Sequence, residues 1–203
     1  MKKNKISKNW LRKQNKDIYV RKSKIEGYRS RAAYKLEEIN NKFKIFKNNQ
    51  SIVDLGAAPG SWSQYISKNI KNIKILAIDL KEIKKIENVF LLKGDFTNQK
   101  CQNQIKEHFR NKVDIILSDM AVNTTGNKTI DSIVTGELTI EALHFSEQFL
   151  LKNGQFVSKI FMGSTFNEII SLAKKIFKET HVFKPLSSRK DSKESFIICK
   201  FLR

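Results

Sequence analysis

Seven short runs rich in Ile and Val, most of them separated by stretches of helical periodicity, constrain this chain more than any other feature of its sequence. The runs are Ser51 to Leu55, Lys74 to Asp79, Val89 to Leu92, Val113 to Ser118, Gln155 to Ile160, His181 to Pro185 and Ser195 to Phe201, all of strand length. Helical patterns fall at Arg29 to Asn40, Ser61 to Asn69, Gln102 to Arg110, Gly136 to Leu151 and Phe166 to Lys178. Strand alternating with helix predicts an α/β protein, a mostly parallel, doubly wound sheet with helices on both faces. Only Leu186 to Glu194 separates the last two runs, too short for a helical crossover, so that pair is expected to be antiparallel. With 203 residues, enough to bury a substantial core, and no Pro/Gly/Ser-rich linker, the chain is expected to form one domain.

The first strand leads into Asp54-Leu55-Gly56-Ala57-Ala58-Pro59-Gly60, which opens a helix at the place where parallel sheets bind nucleotide-like ligands. Gly56 and Gly60 are four apart with Pro59 between them, so the tighter glycine spacing of pyrophosphate-binding dinucleotide sites is absent. Asp79 ends the second strand, where a carboxylate can accept from both hydroxyls of an adenosine ribose, and Asp95 follows the third, within reach of an adenine edge. Either acid alone reads as a turn or cap residue. Loop and acids in this order suit S-adenosylmethionine, which carries ribose and adenine but no phosphate.

The net charge of +19 points to a polyanionic partner. The charge is localised: residues 1–47 carry 16 Lys or Arg against Asp17, Glu26, Glu37 and Glu38. Trp10, Tyr19 and Tyr28 interleave this segment, which favours binding to a phosphate backbone over a solvated tail. A basic RNA-binding extension is expected over 1–27 and a catalytic domain over 28–203. Cys101 and Cys199 lie far apart, out of metal-ligand spacing, and read as inert buried thiols; no metal is expected. No run approaches the length of a membrane span.

Several segments together resemble the FtsJ family of RNA ribose 2′-O-methyltransferases. They are Arg31-Ala32-Ala33-Tyr34-Lys35-Leu36, the glycine loop with Trp62-Ser63-Gln64, Gly94-Asp95-Phe96 and Ser118-Asp119-Met120-Ala121-Val122-Asn123. Lys159, Lys184-Pro185, Ser188-Arg189 and Ser192 to Glu194 complete the set, and the resemblance runs from about Ser7 to the end. It implies a Rossmann-like methyltransferase fold, a catalytic tetrad at Lys35, Asp119, Lys159 and Glu194, and S-adenosylmethionine contacts at Gly60, Trp62, Asp79, Asp95 and Asp119. It further implies methylation of a uridine in the peptidyl-transferase A-loop of large-subunit ribosomal RNA, within the large subunit. Two positions depart from the family pattern: Ser61 stands where glycine is usual, and Val122 where proline is common.

The residues themselves support part of this. Asp119 ends the fourth strand, at the carboxyl edge of the sheet, and Glu194 begins an antiparallel strand, so both reach the same edge. Alone, each would read as a turn residue or a charged strand end. Lys159 stands inside the apolar run Phe156 to Phe161, an unusual place for a purely structural lysine. Lysine is a base only when neutral, so two roles stay open: accepting the proton of the 2′-hydroxyl, or steering that hydroxyl as a cation. Lys35 alone reads as a solvated helical lysine. The polar stretch Asn123 to Gly136 is expected to be a loop following Asp119, with two roles open: closing over the substrate, or simple mobility.

Three other functions compete: the same chemistry on tRNA or an mRNA cap, a noncatalytic ribosome-assembly protein, and an NAD-dependent oxidoreductase. Loss of loop or tetrad would mark the second and tighter glycine spacing the third, and neither is seen. A monomer is expected. The N-terminus is basic without an apolar stretch, which argues against a secretory signal; such a start can mimic an organellar transit peptide, but the resemblance already begins near Ser7, so a bacterial-type cytoplasm is expected, with an organellar matrix as the lesser alternative.

Overall fold

In the computed structural model, which describes residues 17–120, 128–190 and 192–203, the apolar runs join into one seven-stranded sheet. Its elements begin with helices α1 (Ile18–Ile25) and α2 (Ala32–Phe43), strand β1 (Ser51–Leu55), α3 (Ser61–Asn69), β2 (Lys74–Asp79) and β3 (Val89–Lys93). They continue with α4 (Gln99–Phe109), β4 (Val113–Ser118), α5 (Lys128–Phe149), β5 (Leu150–Phe161), α6 (Phe166–Ile176), β6 (Phe177–Phe183) and β7 (Glu194–Leu202). The strand order is β3-β2-β1-β4-β5-β7-β6. All neighbours are parallel except β7, which runs antiparallel to β5 and to β6. The order reverses between β1 and β4, which opens a crevice at the carboxyl ends of the strands.

Strand alternation sends side chains to both faces of the sheet, where the two larger core clusters lie. Val53 and Leu55 of β1, Leu76 and Ile78 of β2 and Ile197 of β7 pack under α4, α5 and α6. Ile52, Ile75, Leu117 and Ile198 pack on the other face, under Ala33, Leu36 and Ile39 of α2 and Trp62 and Ile66 of α3. Cys101 and Cys199 are buried and free. Among the described residues no helix is long and apolar enough to cross a membrane.

The elements depart from sequence expectation at their ends. Helix α4 begins at Gln99 because Asn98 caps it, its Oδ1 accepting from Lys100 N at 2.9 Å. Helix α2 starts at Ala32, where Ser30 Oγ accepts from the backbone N–H, and runs to Phe43, closed by a left-handed Lys44. Strand β5 gains Leu150 to Gly154, which enter through a register shift opposite β4.

Strand β6 begins at Phe177, not His181. As an edge strand it exposes Lys178, Glu179 and His181, so its apolar alternation is diluted, and the helical period of α6 runs on in the sequence past Ile176. The loop expected over Asn123 to Gly136 is corrected from Lys128 onward, where the chain is α5; residues 121–127 lie outside the described residues. Gly136 marks packing, not a helix start, since an added Cβ would meet Thr165 Oγ1 at 2.1 Å.

Part of the expected extension is ordered against the domain. Asp17 caps α1, accepting from Tyr19 N at 3.1 Å, and its other carboxylate oxygen holds Arg31. Tyr19 and Tyr28 pack on Tyr34, ring centroids 5.6 and 5.8 Å apart, and Tyr34 Oη donates to Glu26 at 2.9 Å. Of the expected extension, residues 1–16 and Trp10 lie outside the described residues.

Candidate active site

The crevice at the carboxyl ends of β1, β2, β3 and β4 holds a cleft of about 520 Å³. Gly56 and Ala58 form its floor, Asp79, Asp95 and Asp119 bring carboxylates to it, and Ile78, Leu80, Phe96, Met120 and Leu138 give it apolar walls. Gly56 has φ +66°, and an added Cβ would sit 2.1 Å from Met120 Cγ, so only glycine lets the loop and the Asp119–Met120 turn approach this closely. Asp79 is held rigidly: its carboxylate accepts from Ala58 N at 2.9 Å and Lys81 N at 2.7 Å, tying the glycine loop to the end of β2. Asp95 Oδ1 accepts from the backbone N–H and the hydroxyl of Thr97. Apolar walls for a purine and an anchored carboxylate for a ribose diol fit an adenosine-bearing methyl donor.

Two cation–carboxylate pairs stand beside this cleft. Register alone brings the first together: Ser118 of β4 faces Ser158 of β5, so the next residues, Asp119 and Lys159, are neighbours. Lys159 Nζ lies 3.0 Å from Asp119 Oδ1 and donates to the Asp119 carbonyl at 2.8 Å. The Lys159 backbone is held in turn, because its carbonyl accepts from Thr139 Oγ1 of α5 at 3.1 Å. In the second pair Lys35 of α2 meets Glu194 at 2.8 Å, and Ser188 Oγ donates to the same carboxylate at 2.8 Å. Antiparallel β7 begins at Glu194 opposite Phe161, and its Phe196 stands opposite Lys159, so Glu194 arrives at the edge that carries Asp119. A recess of about 260 Å³ opens beyond, lined by Arg31, Lys35, Arg189, Ser192 and Glu194.

All four residues of the expected tetrad therefore converge, and three of the expected donor contacts, Asp79, Asp95 and Asp119, line the cleft. Gly60 and Trp62 are placed differently. Trp62 is buried, its Nε1 donating to Ala32 O at 2.9 Å and its ring 5.8 Å from that of Phe196; it borders a small recess beside Asp54 and Asp119. Gly60, with φ +99°, is glycine because a Cβ would meet Ile86 Cδ1 at 2.6 Å and Arg29 Nη1 at 2.9 Å. The departure at Ser61 is accommodated by a hydroxyl contact of 2.7 Å with Ser30.

Sequence reasoning passes over several groups that the fold makes important. Asp54 is fully buried beneath the glycine loop, accepting from Ser63 Oγ at 2.6 Å and Ser63 N at 3.2 Å. Burial pushes its carboxyl up to about 7, helped by Asp119 and Asp79 and opposed by Ser63. For Asp119 burial also pushes upward, but the ammonium groups of Lys159 and Lys35 outweigh it and hold the carboxyl below the usual range. Arg29 has no motif to announce it, and its role emerges only from its bonds.

A family model described as FtsJ-like methyltransferase matches residues 28–202. The chain is 64% identical to the ribosomal RNA large subunit methyltransferase E of Pelagibacter ubique (strain HTCC1062), over 203 residues that cover both chains completely. A crystal structure of a ribosomal RNA methyltransferase from Plasmodium falciparum superposes with a TM-score of 0.76 at 38% identity, covering 86% of this chain and 98% of that one. Human methyltransferase-like protein 13, solved in complex with SAH, shares the fold at a TM-score of 0.60 and 11% identity, covering 83% and 82% of the two chains.

Proposed function

The chain belongs to the FtsJ-like methyltransferase family, and on that premise we propose that it transfers a methyl group from S-adenosylmethionine to a ribose 2′-hydroxyl of large-subunit ribosomal RNA. The observation that carries this reading is the meeting of Lys159–Asp119 and Lys35–Glu194 beside a cleft fitted to adenosine. Bound in the cleft, S-adenosylmethionine supplies a methyl group activated by sulfonium charge. Asp79 accepts hydrogen bonds from the ribose hydroxyls and Asp95 serves the adenine edge. Gly60 and Trp62 contribute through the turn that opens α3.

The target ribose enters from the recess of Arg31, Lys35, Arg189, Ser192 and Glu194, whose cations match the phosphates on either side of it. Its hydroxyl then meets Lys159, whose amine in the neutral form takes the proton as the oxygen bonds to the methyl carbon and the methyl–sulfur bond breaks, leaving S-adenosylhomocysteine. Asp119 holds the Lys159 amine in place, since Nζ is bound to both its carboxylate and its carbonyl. Glu194 does the same for Lys35, which adds positive charge where an alkoxide would form. Holding both partners aligned supplies much of the rate. The target is a uridine of the peptidyl-transferase A-loop, met within the large subunit in a bacterial-type cytoplasm, by a monomer whose basic residues 1–27 assist RNA binding. The resemblance of the whole chain to this family and its charge distribution support these finer points.

The test is methylation of purified large subunits, free ribosomal RNA and tRNA with labelled donor, followed by mapping of the modified nucleotide. A single 2′-O-methyluridine in the A-loop of the large subunit is expected. Label confined to tRNA would overturn the target, and label on a base nitrogen or carbon would overturn the chemistry.

A further inference from the structure

Arg29 lies half-buried just before α2, two turns upstream of Lys35, and its guanidinium is spread over two different loops. Nη1 donates to the carbonyl of Pro59, in the glycine loop, at 2.7 Å, and to the carbonyl of Lys84 at 2.8 Å. Nη2 donates to the carbonyl of Lys85 at 2.7 Å. Lys84 and Lys85 belong to the β2–β3 connection, whose first residues, Leu80 and Lys81, wall the donor cleft. Three directed bonds from one planar group thus fasten together the two loops that frame the cleft. A lysine, with one ammonium on a flexible stem, does not reproduce this fork.

The surroundings are built for that contact. Gly60 leaves the space the guanidinium occupies, since a Cβ there would stand 2.9 Å from Nη1 and 3.2 Å from Ile83 Cγ2. Ile83 and Ile86, on either side of the accepting carbonyls, are buried against Ala57 and Ala77. The Arg29 backbone is anchored as well, its N–H donating to Gln64 Oε1 at 2.9 Å, while Gln64 Nε2 donates to Gly27 O at 2.8 Å. Among the described residues the guanidinium is bonded to carbonyls and paired with no carboxylate, so its contribution is directional and not charge neutralisation.

We propose that Arg29 is a positioning residue for the methyl donor: it clamps the glycine loop to the β2–β3 connection and sets both in register with the helix that carries Lys35. This rests on the cleft being the donor site. Arg29 does not line the cleft, so its loss loosens the walls of the donor pocket without removing a reacting group. The signature is a split between donor affinity and turnover, which a general loss of stability does not produce.

The experiment compares full-length wild type with Arg29→Lys and Arg29→Gln, using calorimetry with S-adenosylhomocysteine, methylation kinetics with varied donor at fixed ribosomal substrate, and thermal unfolding. Both variants are expected to fold, with the dissociation constant for S-adenosylhomocysteine and the donor KM raised tenfold or more and kcat at saturating donor within threefold of wild type. For Arg29→Ala, millimolar methylguanidinium should restore part of the missing affinity. A folded Arg29→Lys with wild-type donor affinity overturns the proposal. So does a loss of folded protein in both variants, or a fall in kcat equal to the loss in affinity, either of which assigns Arg29 to overall stability. Wild-type protein that does not bind S-adenosylhomocysteine overturns the donor-site reading instead.

Discussion

Replacing Lys159 with alanine removes the amine that lies 3.0 Å from Asp119 Oδ1 and 2.8 Å from the Asp119 carbonyl, with the β5 backbone around it unchanged. Two losses follow, and they are separable. Without the group that takes the hydroxyl proton, methyl transfer should fall by about 10² to 10⁴. At about 1.4 kcal/mol per tenfold, that is roughly 3 to 5 kcal/mol of transition-state stabilisation. Stability should fall as well, because removing one member of a buried ion pair costs about 3 to 5 kcal/mol. The Asp119 side chain keeps 21% of its surface exposed and remains in the field of Lys35, so the low end, about 3 kcal/mol, applies.

The pH dependence carries the same information. Asp119 is held below the ordinary carboxylate range, so in wild type its contribution is present above about pH 4 and is lost as pH falls through the lowered value. Lys159→Ala weakens that depression, and the acid loss should shrink. Single-turnover methylation of large subunits at saturating donor reads the first loss, urea unfolding at pH 7 and in acid reads the second, and calorimetry with S-adenosylhomocysteine checks that donor binding is intact. Folded Lys159→Ala with turnover within threefold of wild type would refute the assignment and move the proton to Lys35 or Glu194. Lys159→Arg should fail too, since a guanidinium holds its proton near neutral pH; rescue by arginine would show that a positive charge suffices.

Asp79→Ala should weaken S-adenosylhomocysteine by about 1 to 3 kcal/mol, measured calorimetrically, because the ribose loses its carboxylate and the N–H groups of Ala58 and Lys81 lose their acceptor; an unchanged constant would mean the ribose lies elsewhere. For Asp54, raised by burial from 3.8 to about 7, the folded protein keeps a proton that the unfolded chain has released, so this residue lowers stability as pH climbs from about 4 to 7. Asp54→Asn should cancel that slope and gain on wild type by roughly 4 kcal/mol across the window, and parallel urea-unfolding profiles for the two proteins would contradict the buried-acid argument. RNA affinity should fall steeply with salt, and deleting residues 1–16, which hold seven basic and no acidic residues, should flatten the log-log slope by about 0.7 to 0.9 for each phosphate no longer neutralised. Filter binding that shows the same slope for both proteins would mark this segment as solvated only.

Much was legible in the linear sequence because it depends on local periodicity and on edges. Short apolar runs marked the parallel strands β1 to β4, and parallel order alone placed Asp79, Asp95 and Asp119 at one edge of the sheet. The short link between β6 and β7 made that pair antiparallel, which carried Glu194 to the same edge. Element ends were less legible where packing between elements decides them. Gly136 looks like a helix start until Thr165 occupies its face, and the start of β6 looks helical until its edge position turns Lys178, Glu179 and His181 to solvent.

What the tertiary structure alone decided is how these groups meet. Register between β4 and β5, not any motif, makes Asp119 and Lys159 neighbours, and the depth of the sheet turns Asp54 from a loop residue into a buried acid. Arg29 could not be found in the sequence at all. Its three acceptors are backbone carbonyls 30, 55 and 56 residues away, and every residue has a carbonyl, so only the folded chain shows which of them it binds.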